Sequence, residues 1–422
     1  MSDAPSAPLP PSSLGHADWL SCAPAQAVFA ALQTGGAEAR AVGGAVRNTL
    51  LGRPVGDVDI ATTARPEEVI RLAKNAGLGA VPTGIEHGTV TVVSAHRPYE
   101  VTTLRRDIAT DGRHATIEYT ADWAADASRR DFTINALYCD AGGRLFDPLD
   151  GYPDILARRV RFIGDARQRI REDVLRILRF FRFHAAFGEG DADPTGLRAC
   201  VTERAGMARL SGERVRAELL KLLAAPRAVA AITAMFEHGL LVDVLAAVPW
   251  PQRLQQLAAL EAGLGRAPDP LLRLSVLAIA VDEDRLRLAG RLRLSHAERD
   301  ALIVPEPGTV SRDFGDRAAR LRLYQLGPDN WARHVLGAWS ASRCDASDPV
   351  WRNLLALPGS WPPPRLPVRG ADVLALGVPP GPHVGTILAD FERWWSESDF
   401  PMDDHTVRLK LAELVATAQR VS

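Results

Sequence analysis

The sequence predicts an α+β protein in two parts: an N-terminal head of helices around a mixed β-sheet, and an elongated, all-helical remainder. Two observations support this class. Short strand and helix patterns alternate up to about residue 162. From Ala166 onward the strand patterns fade, and apolar residues recur with the period of an α-helix. Because a chain of 422 residues exceeds the usual size of one hydrophobic core, several domains are expected.

Helices and strands alternate through the predicted head. Apolar periodicity and turn residues predict helices at 25–34, 45–52 and 66–76 and strands at 39–43, 57–62, 89–95 and 99–104. Gly52 suits the end of the second helix, and Pro66 suits the first turn of the third. Residues 105–115 contain charged residues and glycine without a period, so we expect a mobile loop there.

The rest of the chain is predicted to be helical. The pattern places helices at 166–187, 194–206, 212–225, 226–247 and 253–264, with further helical segments to about residue 339. The proline-rich residues 358–367 favour a linker, and residues 369–395 favour two helices around a Pro/Gly turn. Residues 1–14, rich in Pro, Ser and Ala, are expected to be disordered.

Composition excludes some classes of protein. No apolar run reaches the roughly 18 residues that a membrane span requires, and the N-terminus lacks the basic, then apolar, pattern of a signal peptide. We therefore expect a cytoplasmic protein with no membrane partner. The four cysteines are far apart and form no CxxC pair, so neither a zinc site nor a disulfide framework is indicated.

Positive charge is concentrated in one segment, although the whole chain has a net charge of −1. Nine arginines but only three acidic residues lie between Ala157 and Phe183. A local excess of this kind attracts phosphates even on a neutral protein. Arginine in particular favours forked contacts with phosphates or base edges.

Asp57 and Asp59, in the segment GDVDI, are the central feature of the sequence. On a strand, residues i and i+2 face the same side, so both carboxylates project together while Val58 and Ile60 face a core. Two like charges on one face repel each other, and a divalent cation relieves that repulsion. Mg²⁺ prefers oxygen ligands and keeps positions open for substrate phosphates. The pair is therefore a candidate metal site and catalytic centre for phosphoryl transfer.

Gly43 and Gly44 precede this pair and offer a turn without side chains, where backbone N–H groups can approach a triphosphate. Arg47, one turn into the following helix, can reach the same phosphates. Each feature alone is weak, because solvated surface acids explain most DxD sequences. The ordered combination GGAVRNTLLGRPVGDVDIAT at 43–62 is specific.

Residues 43–62 resemble the first motif of the class II tRNA nucleotidyltransferases, which are related to bacterial poly(A) polymerases. The resemblance covers residues 25–225 well and the helical remainder more loosely. One departure is Asn48, where the family usually has Asp. The resemblance implies four domains: a nucleotidyltransferase head at 15–155, a base-selecting neck at 156–225, a body at 226–340 and a tRNA-binding tail at 341–422.

The stretch SRRDFTINALYCD at 128–140 is similar to the family motif that recognises the ribose. The resemblance implies that Arg130, Asp131 and Asn135 surround the sugar. A 2′-OH both donates and accepts, so a carboxylate with Arg or Asn can recognise it. The stretch DPLDG at 147–151 resembles the hinge between head and neck, and its residue types favour a turn in any case.

The stretch REDVLRILRFFRF at 171–183 is similar to the family's Glu-Asp-x-x-Arg element, a protein template for the incoming base. By that resemblance Asp173 and Arg176, neighbours on a helix, read the base, and Glu172 orients Arg176. A carboxylate accepts from the exocyclic amine of cytosine or adenine, and arginine donates to cytosine O2 and N3 or to adenine N1. Uracil O4 and guanine O6 would face the carboxylate, so both bases are rejected.

Three further stretches resemble parts of the family. LSGERVRAELLKLL at 210–223 is like the neck-stabilising helix and is assigned to packing. GIEHGTVTVV at 84–93 resembles the CCA-adding branch. RRDIATDGRH at 105–114 occupies the position of a flexible loop needed for the switch from C to A. The candidate residues of this loop are Arg105, Asp111 and Arg113.

Together these resemblances imply a Mg²⁺-dependent enzyme that adds CCA to tRNA 3′ ends, using CTP and ATP and no nucleic-acid template. No protein partner is implied. Two alternatives stay open. One is a poly(A) polymerase or CC-only-adding enzyme of the same family, and the other is a non-catalytic RNA-binding scaffold.

Overall fold

The computed structural model describes residues 11, 13–111, 114–305, 309–342 and 344–421. The chain divides into two compact units, one ending at Val244 and the other starting at Leu245. The predicted α+β class is confirmed, because a mixed sheet lies in the first unit and helices dominate the rest. Among the described helices, none is both long enough and apolar enough to cross a membrane.

A seven-stranded sheet and a separate two-stranded sheet form the β-structure of the described residues. The strands are β1 (Ala39–Val42), β2 (Asp59–Thr62), β3 (Gly79–Gly84), β4 (Thr89–Ser94), β5 (Arg97–Thr103), β6 (Arg105–Asp111), β7 (His114–Tyr119), β8 (Tyr138–Asp140) and β9 (Leu145–Phe146). The large sheet has the order β3-β4-β5-β2-β1-β8-β9. Strand β2 pairs in parallel with β5 and antiparallel with β1, so its first residue, Asp59, lies between two other strands.

Helices surround this sheet and continue beyond it. Those up to the boundary between the units are α1 (Asp18–Ser21), α2 (Ala23–Thr34), α3 (Gly44–Leu50), α4 (Pro66–Asn75), α5 (Trp123–Ser128), α6 (Tyr152–Leu156), α7 (Ala166–Glu172), α8 (Arg176–Phe187), α9 (Pro194–Thr202), α10 (Gly212–Leu223), α11 (Ala228–Glu237) and α12 (Val242–Leu245). Helices α2 and α4 pack on one face of the sheet, where Phe29 and Val69 are fully buried. Pro66 occupies the first turn of α4, as predicted.

The elements predicted for residues 25–104 are confirmed, with two corrections. Strand β2 starts at Asp59, so Asp57 lies just outside the strand predicted to contain it. Strand β3 was not predicted, because it lies at the sheet edge, contains Pro82 and has mostly exposed side chains that show no alternation.

The continuous helix predicted at 166–187 is wrong. Helix α7 ends at Glu172 and α8 begins at Arg176, and Asp173 between them has φ −152° and ψ 105°, an extended conformation. The carboxylate of Asp173 accepts hydrogen bonds from the Leu175 N–H at 3.1 Å and from Arg214 at 2.7 Å. These side-chain contacts take the place of the backbone hydrogen bonds that the predicted continuous helix would have formed here.

The helix predicted at 226–247 is also wrong. Helix α11 ends at Glu237, and Gly239 has a φ of 69°, which stops the helix before the short α12. The predicted domain boundaries at 155, 225 and 340 stay predictions.

The loop predicted at 105–115 is wrong in its secondary structure. Strands β6 and β7 pair antiparallel from Arg105↔Tyr119 to Asp111↔His114. The sequence carried a partial signal for these strands in the β-branched residues Ile108, Thr110, Thr116 and Ile117. Arg113 lies outside the described residues, and so does the side chain of Asp111.

The turn predicted at 147–151 is confirmed. The Asp147 carboxylate accepts hydrogen bonds from the N–H groups of Gly151 and Tyr152, both at 2.8 Å. At the N-terminus, Leu14 is buried and its N–H donates to Gly143 O at 2.7 Å, so packing begins inside the segment expected to be disordered. Residues 1–10 and 12 lie outside the described residues.

The second unit is helical throughout its described secondary structure. Its helices are α13 (Pro251–Gly263), α14 (Pro270–Ala278), α15 (Asp282–Leu292), α16 (His296–Ala301), α17 (Asp316–Ala341), α18 (Pro349–Ser360), α19 (Gly370–Ala375), α20 (Pro382–Glu397) and α21 (Asp404–Val421). Gly327, with a φ of 73°, interrupts α17 before Pro328. The two helices predicted around a Pro/Gly turn are confirmed as α19 and α20, and the predicted linker starts three residues later than Pro358, at Trp361, because α18 ends at Ser360.

A cluster of aromatic rings joins the sheet region to α8. The ring of Phe162 lies 4.9 Å from that of Phe132 and 5.4 Å from that of Phe180, between centroids. Gly196 in α9 lies against this cluster. A Cβ at Gly196 would come within 2.7 Å of Phe180 Cε2, closer than real Cβ contacts allow.

We predict that Gly196→Ala destabilises the protein by about 1–3 kcal/mol, because the added methyl group overpacks a buried aromatic cluster. Gly290→Ala is the matched control, since Gly290 also lies in a helix and a Cβ there meets nothing within 4 Å. The control should be neutral or more stable, because alanine is the better helix former. Denaturant unfolding measures both. Equal stability of the Gly196→Ala variant and the unsubstituted protein would contradict the packing described.

Candidate active site

One cavity of about 440 Å³ in the first unit collects most of the predicted site residues. This volume is within the range of small-molecule sites. Its lining includes nine residues singled out from the sequence: Gly43, Gly44, Arg47, Asp59, Arg130, Asp131, Asn135, Asp173 and Arg176. Leu175, Arg179, Phe183 and Arg214 complete the lining.

Asp59 and Asp57 lie at the start of β2. Val58 and Ile60 are buried, Asp59 is half-buried and Asp57 is exposed, so the alternation predicted from the sequence is confirmed. Strand β5 brings Glu100 directly beside Asp59 in the parallel register. Burial raises the pKa of Asp59, and the charges of Glu100 and Asp57 raise it further, against the opposing effect of Arg130.

This concentration of carboxylates suits a divalent cation, which would remove the repulsion that raises the pKa of Asp59. In the part of the chain that the structure describes, no group of three or more His, Cys, Asp or Glu side chains is arranged to hold a metal by itself. Two carboxylates are nevertheless a sufficient protein contribution for Mg²⁺, because that ion commonly takes its other ligands from water and substrate phosphates.

Arg47 lies at the base of the cavity, one turn after the two glycines. Gly43 has a φ of 69°, which favours glycine, and α3 begins at Gly44. The Arg47 guanidinium donates to Asn135 Oδ1 at 2.5 Å and to Asn48 Oδ1 at 2.9 Å. It also stacks 3.9 Å from the Phe187 ring. Burial, together with the charge of Arg182, lowers the pKa of Arg47 to about 10.

Asp131 is buried, and both of its carboxylate oxygens are already engaged. Oδ1 accepts from Asn135 Nδ2 at 3.0 Å and from the Phe132 N–H at 2.9 Å. Oδ2 accepts from Arg179 Nε at 2.8 Å. Burial alone would raise the pKa of Asp131, but the Arg179 charge and these hydrogen bonds hold it below its ordinary value.

Arg130 is held from behind by Asp126, an aspartate of α5 with a fully buried side chain. Its Nη2 donates to Asp126 Oδ2 at 2.9 Å, and its Nε donates to Tyr138 OH at 3.2 Å. Tyr138 OH in turn donates to Asp126 at 2.8 Å, and Arg129 pairs with the other oxygen at 2.6 Å. Burial opposes ionisation of Asp126, yet Arg130 and Arg129 hold its pKa below the ordinary value.

The break between α7 and α8 presents Asp173 and Arg176 to the cavity by a geometry that the sequence did not predict. They are not neighbours on one helix, since Asp173 is extended and Arg176 is the first residue of α8. The predicted contact between Glu172 and Arg176 is present, at 2.7 Å. Asp173 pairs instead with Arg214 of α10, so the stretch assigned to packing contributes a cavity residue.

The chain is similar to known proteins along most of its length. Residues 39–161 match the family model described as Poly A polymerase head domain, and residues 193–248 match the one described as probable RNA and SrmB-binding site of polymerase A. The chain is 34% identical over 378 residues to CCA tRNA nucleotidyltransferase 1, mitochondrial, of Mus musculus, with 87% of this chain and 84% of that protein covered. The chain belongs to the CCA tRNA nucleotidyltransferase family.

Other members of the CCA tRNA nucleotidyltransferase family agree with this placement. The chain is 32% identical to the CCA-adding enzyme of Levilactobacillus brevis, covering 87% of this chain and 92% of that protein. The crystal structure of the Bacillus stearothermophilus CCA-adding enzyme in complex with CTP is similar with a TM-score of 0.70 and 28% identity, covering 94% of this chain and 98% of that chain. The family is one of metal-dependent nucleotidyltransferases.

Sequence reasoning missed four residues of this CCA tRNA nucleotidyltransferase site: Glu100, Asp126, Arg179 and Arg214. Arg179 was counted in the basic segment without a role, and its spacing three residues after Arg176 placed it near the same face of α8. Glu100 carries no local signal, because it reaches the site only through the pairing of β5 with β2. Asp126 did carry one, since it lies four residues before Arg130 and three before Arg129, the spacing of neighbours on a helix.

We predict that Asp126→Asn lowers kcat/KM of this nucleotidyltransferase by at least about tenfold, because Arg130 loses the charge that orients it and small displacements are costly in catalysis. Asp154→Asn is the matched control. Asp154 is also fully buried, and it accepts from Arg159 at 2.6 Å, Arg161 at 2.8 Å and Thr133 Oγ1 at 2.6 Å, but it does not line the cavity.

Asp126→Asn breaks a buried ion pair and should cost about 3 kcal/mol of stability, whereas the arginines that contact Asp154 are 40% and 47% exposed, so Asp154→Asn should cost less. Activity is measured well below the melting temperature of both. An Asp154→Asn loss as large as that of Asp126→Asn would show that stability, and not the position of Arg130, controls the rate.

Proposed function

We propose that the protein adds cytidine, cytidine and adenosine to the 3′ end of tRNA, using CTP and ATP and no nucleic-acid template. The observation that carries the proposal is the single cavity that joins Asp59 to Asp173 and Arg176. Groups suited to phosphate chemistry and groups suited to reading a base therefore line the same cavity of about 440 Å³. The CTP complex of the similar bacterial enzyme supports a nucleotide as the occupant.

Asp57 and Asp59 are the proposed ligands of the catalytic metal, which we assign as Mg²⁺. The bound ion would neutralise charge on the α-phosphate as the primer 3′-OH attacks and pyrophosphate leaves. The negative charge of Glu100 beside Asp59 is proposed to strengthen the attraction for the cation, and Arg130 to balance the surplus negative charge. No general base is assigned.

The remaining lining residues divide among the parts of the nucleotide. Gly43, Gly44 and Arg47 are proposed to contact the phosphates, because they offer backbone N–H groups and a cation at the start of α3. Arg130 and Asn135 are proposed to face the ribose. Asp131 is proposed to support Asn135, since its two oxygens already accept from Asn135 and Arg179.

Asp173 and Arg176 are the proposed readers of the base. Glu172 accepts from Arg176 Nη1 at 2.7 Å, and the Arg169 carbonyl oxygen accepts from the same group at 2.7 Å, which orients the guanidinium. Arg214 orients Asp173 in the same way. The base edge would then meet one acceptor and one set of donors, the combination that cytosine and adenine satisfy.

The hairpin of β6 and β7 occupies the position predicted for the flexible loop, with Arg105 at its base. Its role in the change from C to A addition stays a prediction, as do the roles of Asp111 and Arg113 and the cytoplasmic location. Poly(A) synthesis, CC-only addition and an inactive RNA-binding scaffold are the competing functions. The intact carboxylate pair disfavours the scaffold.

We predict that the protein with Mg²⁺, CTP and ATP extends a tRNA lacking CCA by three nucleotides and then stops. Products are sized on a sequencing gel after incubation with each nucleotide alone and with both. Long tails with ATP alone would indicate poly(A) synthesis, and a stop after two nucleotides would indicate CC addition.

In the same assay Asp57→Asn and Asp59→Asn should each lower incorporation by at least about 100-fold, because metal ligation contributes several kcal/mol to the transition state. Asp18→Asn, at an exposed acid of α1, serves as the control. Near-normal activity of either active-site variant would refute the metal assignment.

We also predict that Asp173→Ala and Arg176→Ala relax discrimination against UTP and GTP by about tenfold or more, while correct addition slows less. Each removes one side of the complementarity that rejects those bases. Arg171→Ala is the control, because Arg171 lies in the same stretch but is exposed, pairs with Glu203 at 3.0 Å and does not line the cavity. Unchanged discrimination in both cavity variants would remove the template role.

A further inference from the structure

Asn48 uses both ends of its side-chain amide. Its Oδ1 accepts hydrogen bonds from Arg47 Nη2 at 2.9 Å and Arg47 Nε at 3.2 Å. Its Nδ2 donates to the carbonyl oxygen of Pro54 at 2.9 Å. This orientation is unambiguous, because a guanidinium can only donate and a carbonyl oxygen can only accept.

The contact with Pro54 ties helix α3 to the segment that leads to Asp57. The Asn48 backbone carbonyl also accepts from the Arg53 N–H at 2.8 Å, so residue 48 holds this segment through backbone and side chain. Aspartate, which the family usually has here, would accept from Arg47 equally well. It would also present a carboxylate oxygen to the Pro54 carbonyl oxygen, and two acceptors at that distance repel each other.

Arg47 also differs in its charged surroundings from the other arginines of the cavity. Five arginines line the cavity, and four of them contact a carboxylate: Arg130 with Asp126 at 2.9 Å, Arg176 with Glu172 at 2.7 Å, Arg179 with Asp131 at 2.8 Å, and Arg214 with Asp173 at 2.7 Å. Arg47 differs, since its hydrogen-bond partners among the described residues are the neutral amides of Asn48 and Asn135. Its charge therefore has no direct counter-charge in that part of the chain.

We propose that Asn48 is a positioning residue that leaves Arg47 as the cavity arginine that no carboxylate contacts, available to the phosphates of the incoming nucleotide and to pyrophosphate. The same amide holds the segment before Asp57 in register with α3. This inference rests on the proposed function and deepens it, because it assigns triphosphate affinity to a neutral side chain at a position where the family usually has a negatively charged one.

The test compares Asn48→Asp with Asn48→Ala in the full chain. Asn48→Asp places a carboxylate beside Arg47, so the dissociation constant for inorganic pyrophosphate, measured by calorimetry, should rise about tenfold. KM should rise by a similar factor for CTP and ATP alike, since the phosphates are common to both. Asn48→Ala keeps the Arg47 charge, so pyrophosphate binding should stay within about twofold while kcat falls, because the segment before Asp57 loses its tie.

Thr49→Val is the control on the same helix. Thr49 accepts from Trp19 Nε1 at 2.8 Å and does not contact Arg47, so this variant should lose stability without weakening pyrophosphate binding. Arg47→Gln removes the cation directly and should weaken pyrophosphate binding at least as much as Asn48→Asp. It therefore tests the inference even if the Asn48→Asp variant does not fold.

Wild-type affinity for pyrophosphate in Asn48→Asp or Arg47→Gln overturns the inference, and so does an equal loss in Thr49→Val. These outcomes are distinct from failure of the proposed function. A wild-type protein that binds pyrophosphate but adds no nucleotide to tRNA would refute the proposed function. The effect of the Asn48 variants on pyrophosphate binding could still be measured in that case.

Discussion

Mutual repulsion among five arginines in the wall of one cavity is the constraint on which the candidate site depends. Guanidinium groups stay protonated at neutral pH, so opposite charges or several acceptors must surround groups this close to offset their repulsion. Four of them meet carboxylates from α5, from the end of α7, from the turn after α5 and from the break before α8. Two of these pairs, Arg179 with Asp131 and Arg214 with Asp173, connect distant segments, and the first also joins the sheet region to the helices that follow it. The cavity and the first unit are thus stabilised by the same contacts.

The break between α7 and α8 illustrates how this network overrides local preference. Neither proline nor glycine stands between Glu172 and Arg176, and the apolar period runs through the whole stretch. In a continuous helix Asp173 would have helical backbone angles in place of extended ones. Its carboxylate would then leave the position in which it contacts Arg214. Two hydrogen bonds to the Asp173 side chain compensate for the helical bonds lost at the break, and the break exposes the base-reading groups to the cavity.

The sequence predicted what depends on local pattern. The strand that carries Asp59, the glycine turn and the order of the motifs were readable because periodicity, turn chemistry and spacing are local. Contacts between distant segments could not be predicted from the sequence. Arg214 meets Asp173 from 41 residues away, and Glu100 reaches Asp59 only through the parallel register of β2 and β5. The hairpin after β5 was missed for a different reason, since the β-branched residues of its strands stand among charged residues and show no regular alternation.

The division between paired and unpaired arginines gives the cavity two kinds of recognition. An arginine that contacts a carboxylate has its direction set and much of its charge balanced, so it contributes oriented donors more than long-range attraction. Arg176 is of this kind, and oriented donors are what distinguish one base edge from another. An arginine held by amides keeps its charge, and charge attracts the phosphates of every nucleotide equally. Arg47 is of that kind. A protein that selects bases without a nucleic-acid template needs both, because affinity common to all nucleotides cannot discriminate and discrimination alone does not bind. Placing the two functions on separate arginines lets the residue at position 48 alter the first without altering the second.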